Sequence, residues 1–191
     1  LNKNLIIPKG FRVQFNKGTH IDIINHAMII SCSPVFIKGT TTEPVIISSS
    51  DGTGNGFTVL QAEKRSQIKY VRFEKMNTLN YKGWTLSGSV TFYESDVDIN
   101  HAVFTGNGCE DALNIVRSNF ILDSSRFSQT QSDAFDSDFS TGLVNNVVFT
   151  NIGNDAIDFS GSRIKITNCT INGVKDKGVS GGEDSHLTIE N

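Results

Sequence analysis

The sequence is poor in cysteine, in proline and in unbalanced charge. Its 191 residues include three cysteines, none in a Cys-x-x-Cys pair or at a zinc-binding spacing, and the odd number argues against a disulfide framework. The net charge is −3 and there is no basic stripe, so a nucleic-acid-binding surface is not expected. No apolar run approaches about 18 residues, and a membrane span is therefore not expected either.

Long apolar stripes of helical period are also missing from the second half, and a short repeat stands in their place. Residues 111–114 (DALN) recur as 133–136 (DAFD) and 155–158 (DAID), at a step of 22 residues, and 177–180 (KGVS) keep the step in weaker form. A fixed period of this kind indicates that each unit is one rung whose apolar face is covered only by its neighbours.

Other apolar positions keep this step or miss it by one residue. They form three columns: Phe104, Phe127, Phe149 and Ile171; Ile99, Leu122, Val144 and Ile166; and Leu113, Phe135, Ile157 and Val179. Between them apolar and polar residues alternate, as in Ile164-Lys165-Ile166, which is typical of a strand with one buried face. A propeller blade needs about 40 residues, and a sandwich would not keep a constant register. We therefore expect an all-β fold, a parallel β-helix of about eight coils with about 22 residues per coil in the C-terminal half.

A continuous stack of such coils predicts one domain over residues 1–191. Residues 1–75 form less regular coils, and 90–191 form the regular repeats. Residues 68–73 match 99–104 position for position but lie 31 residues before them, so residues 76–89 should hold a protruding loop. The strand at 187–189 leaves an open sheet edge. We expect a piece of a longer protein, whose flanking domains or neighbouring subunits cover the open ends.

Two stretches carry a resemblance to a known superfamily. The first runs from 7–10 (IPKG) through Val13 and Phe15 to 43–47 (EPVII), and the second covers residues 90–190. Together they resemble the right-handed parallel β-helix superfamily, the pectate-lyase-like fold. The resemblance and the rule for parallel crossovers imply a right-handed coil. The resemblance further implies an extracellular or cell-surface location and a polysaccharide partner. This fold carries lyases, hydrolases, epimerases and adhesins, so it does not fix the activity.

Within that superfamily, residues 132–136 and 154–158 look like the first two acidic coils of the polygalacturonase-type hydrolases. Residues 176–178 (DKG) fall where those enzymes have Gly-His-Gly, and the histidine is missing. Arg163-Ile164-Lys165 lies before that coil rather than after it. The lyases of the fold use a lysine or arginine base beside acidic calcium ligands, and Lys177 next to the acidic column is similar to that arrangement.

The repeat places Asp111, Asp133, Asp155 and then Lys177 in one column. Adjacent rungs put carboxylates roughly 5 Å apart, a distance at which repulsion raises the pKa of one of them. If the chain is an enzyme, a lyase or a glycoside hydrolase, we expect Asp133, Asp155 and Lys177 to be catalytic. Asp111, Asp133 and Asp155 are the expected ligands if Ca²⁺ binds, because carboxylate oxygens suit that ion.

A neighbouring outward column holds Asn114, Asp136, Asp158 and Ser180. We expect Asp136 and Asp158 to contact the substrate, together with Trp84 and Tyr93, whose rings stack well on sugars. The alternative is that Asp and Asn at turns cap their own backbone, and that the repeat copies them into a ladder without any ligand. The two functions left open are a polysaccharide-binding or polysaccharide-processing domain and a non-catalytic scaffold or adhesin segment.

Overall fold

The computed structural model describes residues 1–190, and all the regular structure in them is β. The 23 strands, in chain order, are β1 (Leu5–Ile7), β2 (Val13–Asn16), β3 (His20–Asp22), β4 (Ile29–Ser31), β5 (Val35–Lys38), β6 (Val45–Ser48), β7 (Phe57–Leu60), β8 (Ser66–Glu74), β9 (Leu79–Tyr81), β10 (Trp84–Leu86), β11 (Gly88–Tyr93), β12 (Val97–Thr105), β13 (Asp111–Val116), β14 (Asn119–Asp123), β15 (Arg126–Ser128), β16 (Asp133–Asp138), β17 (Thr141–Asn145), β18 (Val148–Ile152), β19 (Ile157–Ser160), β20 (Arg163–Thr167), β21 (Thr170–Val174), β22 (Val179–Gly181) and β23 (His186–Glu190). Within this range no helix has the length and hydropathy that a bilayer crossing needs.

The strands stack as a parallel solenoid of about eight turns. Sheet A contains eight strands in the order β1-β4-β7-β11-β13-β16-β19-β22, one strand from each turn. Sheet B contains thirteen strands and forms the remaining walls. From β11 onward, paired residues in sheet A lie 23 and then 22 residues apart, as in Leu113 with Phe135. The parallel β-helix predicted from the repeat is thus confirmed.

The apolar columns predicted from the repeat meet in register and form the core. Phe104 pairs with Phe127, Phe127 with Phe149, and Phe149 with Ile171 in sheet B. The rings stack, with centroids 4.5 Å apart between Phe104 and Phe127 and 5.0 Å apart between Phe127 and Phe149. These rings are fully buried, and burial of an apolar side chain of this size contributes about 1.5–3 kcal/mol.

The corner after sheet A is built from a repeated pair of residues. A residue with positive φ is followed each time by a buried serine; the pairs are Glu94 and Ser95, Arg117 and Ser118, Phe139 and Ser140, and Gly161 and Ser162. The backbone N–H of Ser118 donates to Oγ of Ser140 at 3.1 Å, and that of Ser140 donates to Oγ of Ser162 at 2.9 Å. Each coil therefore satisfies a buried donor of the coil before it.

A second corner divides sheet B, and it also uses positive φ. Tyr70, His101, Ser124, Asn146 and Asn168 occupy this position in successive coils, with φ between 49° and 55°. Asparagine and histidine enter this left-handed region more readily than most residues, which explains their presence here.

The segment at 76–89 forms the antiparallel hairpin β9–β10, in which Trp84 pairs with Tyr81. Leu79 is fully buried and packs in a small cluster with Met28 and Ile30. The sequence predicted a protruding loop at this position. The base of the hairpin instead folds back onto the solenoid, because Leu79 and Ile30 cover each other's apolar surface.

Candidate functional site

The carboxylates of Asp133 and Asp155 bind the backbone of the following coil. Oδ1 of Asp133 accepts hydrogen bonds from the backbone N–H of Asp155 at 2.8 Å and from Nδ2 of Asn154 at 2.7 Å. Oδ1 of Asp155 accepts the backbone N–H of Lys177 at 2.7 Å. Both aspartates are buried. Their position in one column agrees with the sequence, and their contacts are those of turn-capping residues.

Asp111 departs from the behaviour of this column. The residue is 2% exposed, and within residues 1–190 its Oδ2 has no hydrogen-bond partner. The backbone N–H of Asp133, which would be the donor in the equivalent contact, is taken by the carbonyl oxygen of Glu110 at 2.7 Å. Burial raises the pKa of Asp111 to about 7, and the charges of Glu110 and Asp133 act in the same direction.

The outer surface of sheet A carries a second group of carboxylates. Asn114, Asp136 and Asp158 are paired across β13, β16 and β19, and Asp138 lies two residues beyond Asp136 on the same face. We call these four residues the acidic face. Nδ2 of Asn114 donates to Oδ2 of Asp136 at 2.8 Å, so the amide links the first two strands of the group. Asp138 was not singled out from the sequence, although its even spacing from Asp136 placed it on this face.

Burial is the main cause of the raised pKa values on the acidic face. It raises the pKa of Asp136 to about 8, with further increases from the charges of Asp111, Asp138 and Asp158. Burial also raises the pKa of Asp138, and Arg117 opposes part of that change. The sequence predicted that repulsion would raise the pKa of one carboxylate in the ladder. The direction agrees, but the larger cause is desolvation of the charged form.

Lys177 follows Asp133 and Asp155 in their column, at the equivalent position of the next coil. Its Nζ is 3.7 Å from Oδ2 of Asp155 and also contacts the carboxylate of Asp176. Hydrogen bonding to Asp176 raises the pKa of Lys177 above its usual value. A lysine that serves as a base needs a lowered pKa, because only the neutral amine accepts a proton. The contacts of Lys177 therefore favour a permanent cation.

The two aromatic candidates lie in different places along the solenoid. Tyr93 ends β11 on the outer face, and its hydroxyl accepts a hydrogen bond from Nη1 of Arg117 at 3.0 Å. Trp84 is 38% exposed in the hairpin, whose base packs against β4. The hairpin leads into β11 at Gly88, where an added Cβ would lie 2.8 Å from Cβ of Asn114. The structure thus places Tyr93 beside the acidic face and the end of the Trp84 hairpin next to Asn114.

In residues 1–190 no three His, Cys, Asp or Glu side chains are arranged to hold a metal ion. Asp111, Asp133 and Asp155, the three expected calcium ligands, do not form such a group. The Oδ1 atoms of Asp133 and Asp155 already accept backbone hydrogen bonds from the neighbouring coil.

Comparisons with known proteins add little to this geometry. No protein-family model matches the chain, and no curated protein matches it. Among solved structures it aligns with two trypsin-treated variants of QnrB1, a plasmid-mediated fluoroquinolone resistance protein. The first is 15% identical, with 100% of this chain and 92% of that chain covered and a TM-score of 0.24. The second is also 15% identical, with 98% and 92% covered and a TM-score of 0.23. TM-scores of this size do not establish a shared fold, so the solenoid architecture is assigned from the strand pairing alone.

Proposed function

We propose that this chain is an extracellular or cell-surface β-solenoid of the pectate-lyase-like kind, and that it binds polysaccharide along the acidic face. The observation that carries the proposal is the pairing of Asn114, Asp136 and Asp158 in register on the outer face of sheet A, where burial raises the pKa of Asp136 to about 8. A carboxyl group that is protonated near neutral pH both donates and accepts hydrogen bonds. Sugar hydroxyl groups have the same two capacities, so the groups are complementary.

The contacts of Asp133, Asp155 and Lys177 favour polysaccharide binding by this protein over polysaccharide cleavage by these three residues. Asp133 and Asp155 use carboxylate oxygens to cap backbone N–H groups, and Lys177 is held as a cation. Residues engaged in this way are poor nucleophiles and poor bases. Catalytic roles for these three residues remain a prediction, which their substitution would test directly.

Glycoside hydrolysis is a second candidate, and its residues would be Asp136 and Asp158. They are paired on adjacent strands, roughly 4.8 Å apart at the backbone, which is close to the carboxylate separation of about 5–5.5 Å in retaining glycosidases. The raised pKa of Asp136 suits a general acid. Every parallel ladder produces a similar spacing, so binding is the primary proposal.

A non-catalytic scaffold or adhesin segment is the competing function. The capping bonds of Asp133 and Asp155 support it, because they give those side chains a purely structural role. The two functions differ in what happens at Asp136 and Asp158, whose carboxylates project from the outer face of sheet A. If the chain is a non-catalytic scaffold, substitution of Asp136 and Asp158 should not change its affinity for polysaccharide.

The test is a glycan and polysaccharide screen with and without calcium, followed by titration of any ligand found. Asp136→Ala combined with Asp158→Ala should weaken binding by about tenfold or more, because each substitution removes the hydrogen-bonding groups of the side chain. Asp184→Ala is a matched control, since Asp184 is exposed, has positive φ and lies off the face. Unchanged affinity in the double variant would assign the acidic face to the scaffold function, and reducing-sugar release that needs Asp136 would favour hydrolysis.

A further inference from the structure

Charge is unevenly distributed along the axis of the solenoid. Residues 1–87, which precede β11, contain eleven lysines and arginines and five aspartates and glutamates, whereas residues 88–191 contain six and fifteen. The first three coils, together with the hairpin, therefore carry an excess of six positive charges, and the later coils carry an excess of nine negative charges. A molecule with opposite charges at its two ends is complementary to a second copy that runs in the opposite direction.

A hollow of about 190 Å³ lies at the corner after sheet A in the first three coils. We call it the basic hollow, because Arg12 and Lys64 line it together with one acidic residue, Glu63. Neither cation forms an ion pair within residues 1–190, and the guanidinium carbon of Arg12 lies 3.8 Å from the centroid of the Phe36 ring. Phe11 also lines the hollow and is 60% exposed. The basic hollow therefore presents two cations without an ion pair and one exposed ring.

A second hollow, of about 340 Å³, lies at the same corner in the last three coils. We call it the acidic hollow, because the charged residues that line it in the described part of the chain are all acidic, Glu183 among them. Glu183 is exposed and forms no ion pair with any described residue. Phe139 stands beside this hollow and is also 60% exposed. An exposed ring at each hollow supplies the apolar surface that the centre of a protein–protein contact needs.

The positions of the two hollows suit a two-fold symmetry. Counted by the strands of sheet A, the basic hollow is centred on the second coil and the acidic hollow on the seventh, which are five strand spacings, or roughly 24 Å, apart. A two-fold axis between the fourth and fifth coils would place the basic hollow of each copy opposite the acidic hollow of the other. The same axis would bring Glu94 of the fourth coil opposite Arg117 of the fifth, and both residues are exposed at this corner.

We propose that the corner after sheet A is the interface of an antiparallel dimer of this chain. Arg12 of each copy lies against Glu183 of the other, and because the two copies use the same surface this contact occurs twice. Phe139 of each copy packs at the basic hollow of the other, and Phe11 packs at the acidic hollow. Charges of opposite sign then face each other at both ends and in the centre of the interface, whereas a parallel pair of copies would bring like charges together.

A second copy fits this corner better than a nucleic acid or an anionic membrane does. Either of those partners would be attracted by the basic hollow but repelled by Glu94 and by the acidic hollow, which lie along the same corner. A second copy is complementary to both hollows at once. The interface uses neither Asp136 nor Asp158, so it goes beyond polysaccharide binding and is tested independently of it.

The experiment is sedimentation velocity of the 191-residue protein at low salt and at about 0.5 M salt. We expect a dimer at low salt and a dissociation constant about tenfold higher at high salt, because salt screens exposed charges. Arg12→Glu and Glu183→Lys should each weaken dimerisation by about tenfold or more, since each places like charges together twice. An equimolar mixture of these two variants should dimerise as the parent does, because in the mixed pair one contact is native and the other is only reversed in sign.

Further variants show whether these effects are specific to the corner. Lys75→Glu changes an exposed lysine outside both hollows and should leave the dimer unchanged. Phe139→Ser should weaken the dimer several-fold, and circular dichroism melts should show that every variant remains folded.

Three results would overturn the proposal. They are a parent protein that stays monomeric at low salt and about 0.1 mM concentration, a mixture of Arg12→Glu and Glu183→Lys that does not dimerise, and assembly beyond a dimer. Dimerisation that neither variant changes, together with loss of binding to phosphatidylserine vesicles in Arg12→Glu, would assign the basic hollow to a membrane surface instead.

Discussion

Aspartates at equivalent positions of this repeat differ in what surrounds them. Asp133 and Asp155 accept backbone hydrogen bonds from the next coil, whereas Asp111 is buried with an unpartnered Oδ2. The donor that Asp111 would need is bound to the carbonyl oxygen of Glu110. The repeat pattern specifies where each carboxylate lies, but the contacts depend on residues outside the pattern.

The capping role of Asp133 can be separated from a binding role by two substitutions. Asp133→Ala leaves the backbone N–H of Asp155 and the amide of Asn154 without their acceptor, and we expect it to lower the free energy of unfolding by about 1–3 kcal/mol. Asp133→Asn keeps an acceptor oxygen and should lose less than half of that amount. Urea unfolding measures both. Equal losses in the two variants would mean that the negative charge, rather than the hydrogen bond, is what stabilises this turn.

The raised pKa of Asp136 predicts a pH dependence of stability. The unfolded carboxyl has a pKa of about 3.9, while the folded one lies at about 8, so between these values the folded state holds more protons. The free energy of unfolding therefore falls as pH rises from about 4 to 8. Asp136→Asn, which copies Asn114 of the preceding coil, should remove the part of that slope that Asp136 contributes and be more stable at pH 8 by about 1–3 kcal/mol, while Asp111, whose pKa burial raises to about 7, keeps a smaller slope in the variant. Thermal unfolding at several pH values checks this, and parallel profiles for the two proteins would contradict it.

The register of the repeated strands can be predicted from the sequence, whereas the packing of the β9–β10 hairpin cannot. The columns of Phe127 and Leu122 could be predicted because a constant period is visible in one dimension, and the register follows from it. The extra length at 76–89 could also be predicted. Its packing could not, because Leu79 contacts Met28 and Ile30, which lie about 50 residues earlier and outside the regular repeat.

The hairpin should detach without unfolding the solenoid. Leu79→Ala removes a fully buried side chain from a small cluster and should cost about 2 kcal/mol of local stability. Trp84 is the single tryptophan of the chain, so its fluorescence anisotropy reports on this hairpin alone. We expect lower anisotropy and faster proteolysis near Lys82 in the variant, with an unchanged circular dichroism melt. Loss of the solenoid melt together with the hairpin would show that the two elements unfold as one unit.

At the scale of the molecule, carboxylates collect on the outer face of sheet A, where Arg117 is close enough to oppose the rise in the pKa of Asp138. A groove at the corner that divides sheet B is lined by Arg72, which is paired with Glu74, and by Arg126. The acidic column was visible in the sequence because its members repeat. The groove was not, since its lining residues come from several coils with different spacings and include the segment near Thr40, which has no counterpart in later coils.

The solenoid also predicts a gradient of stability along its axis. β17 is paired on both sides, by β14 and β20, and its core residue Val144 is fully buried. Among the strands of residues 1–190, β23 pairs with β20 alone, and all its residues are exposed. In a stack whose coils touch only their neighbours, a terminal coil opens more easily than a central one. Hydrogen exchange on the 191-residue chain should therefore be at least about tenfold faster in β22 and β23 than in β14 and β17.

Substitution in the centre distinguishes this gradient from fraying of loose ends. Phe127→Ala removes a ring that is stacked between Phe104 and Phe149 and should cost about 3–5 kcal/mol. If stability is a sum over neighbouring coils, exchange should accelerate most in β12, β15 and β18 and least in β1 and β4. Uniform acceleration in all strands would instead show that the eight turns open together, and the gradient in the parent protein would then need another cause.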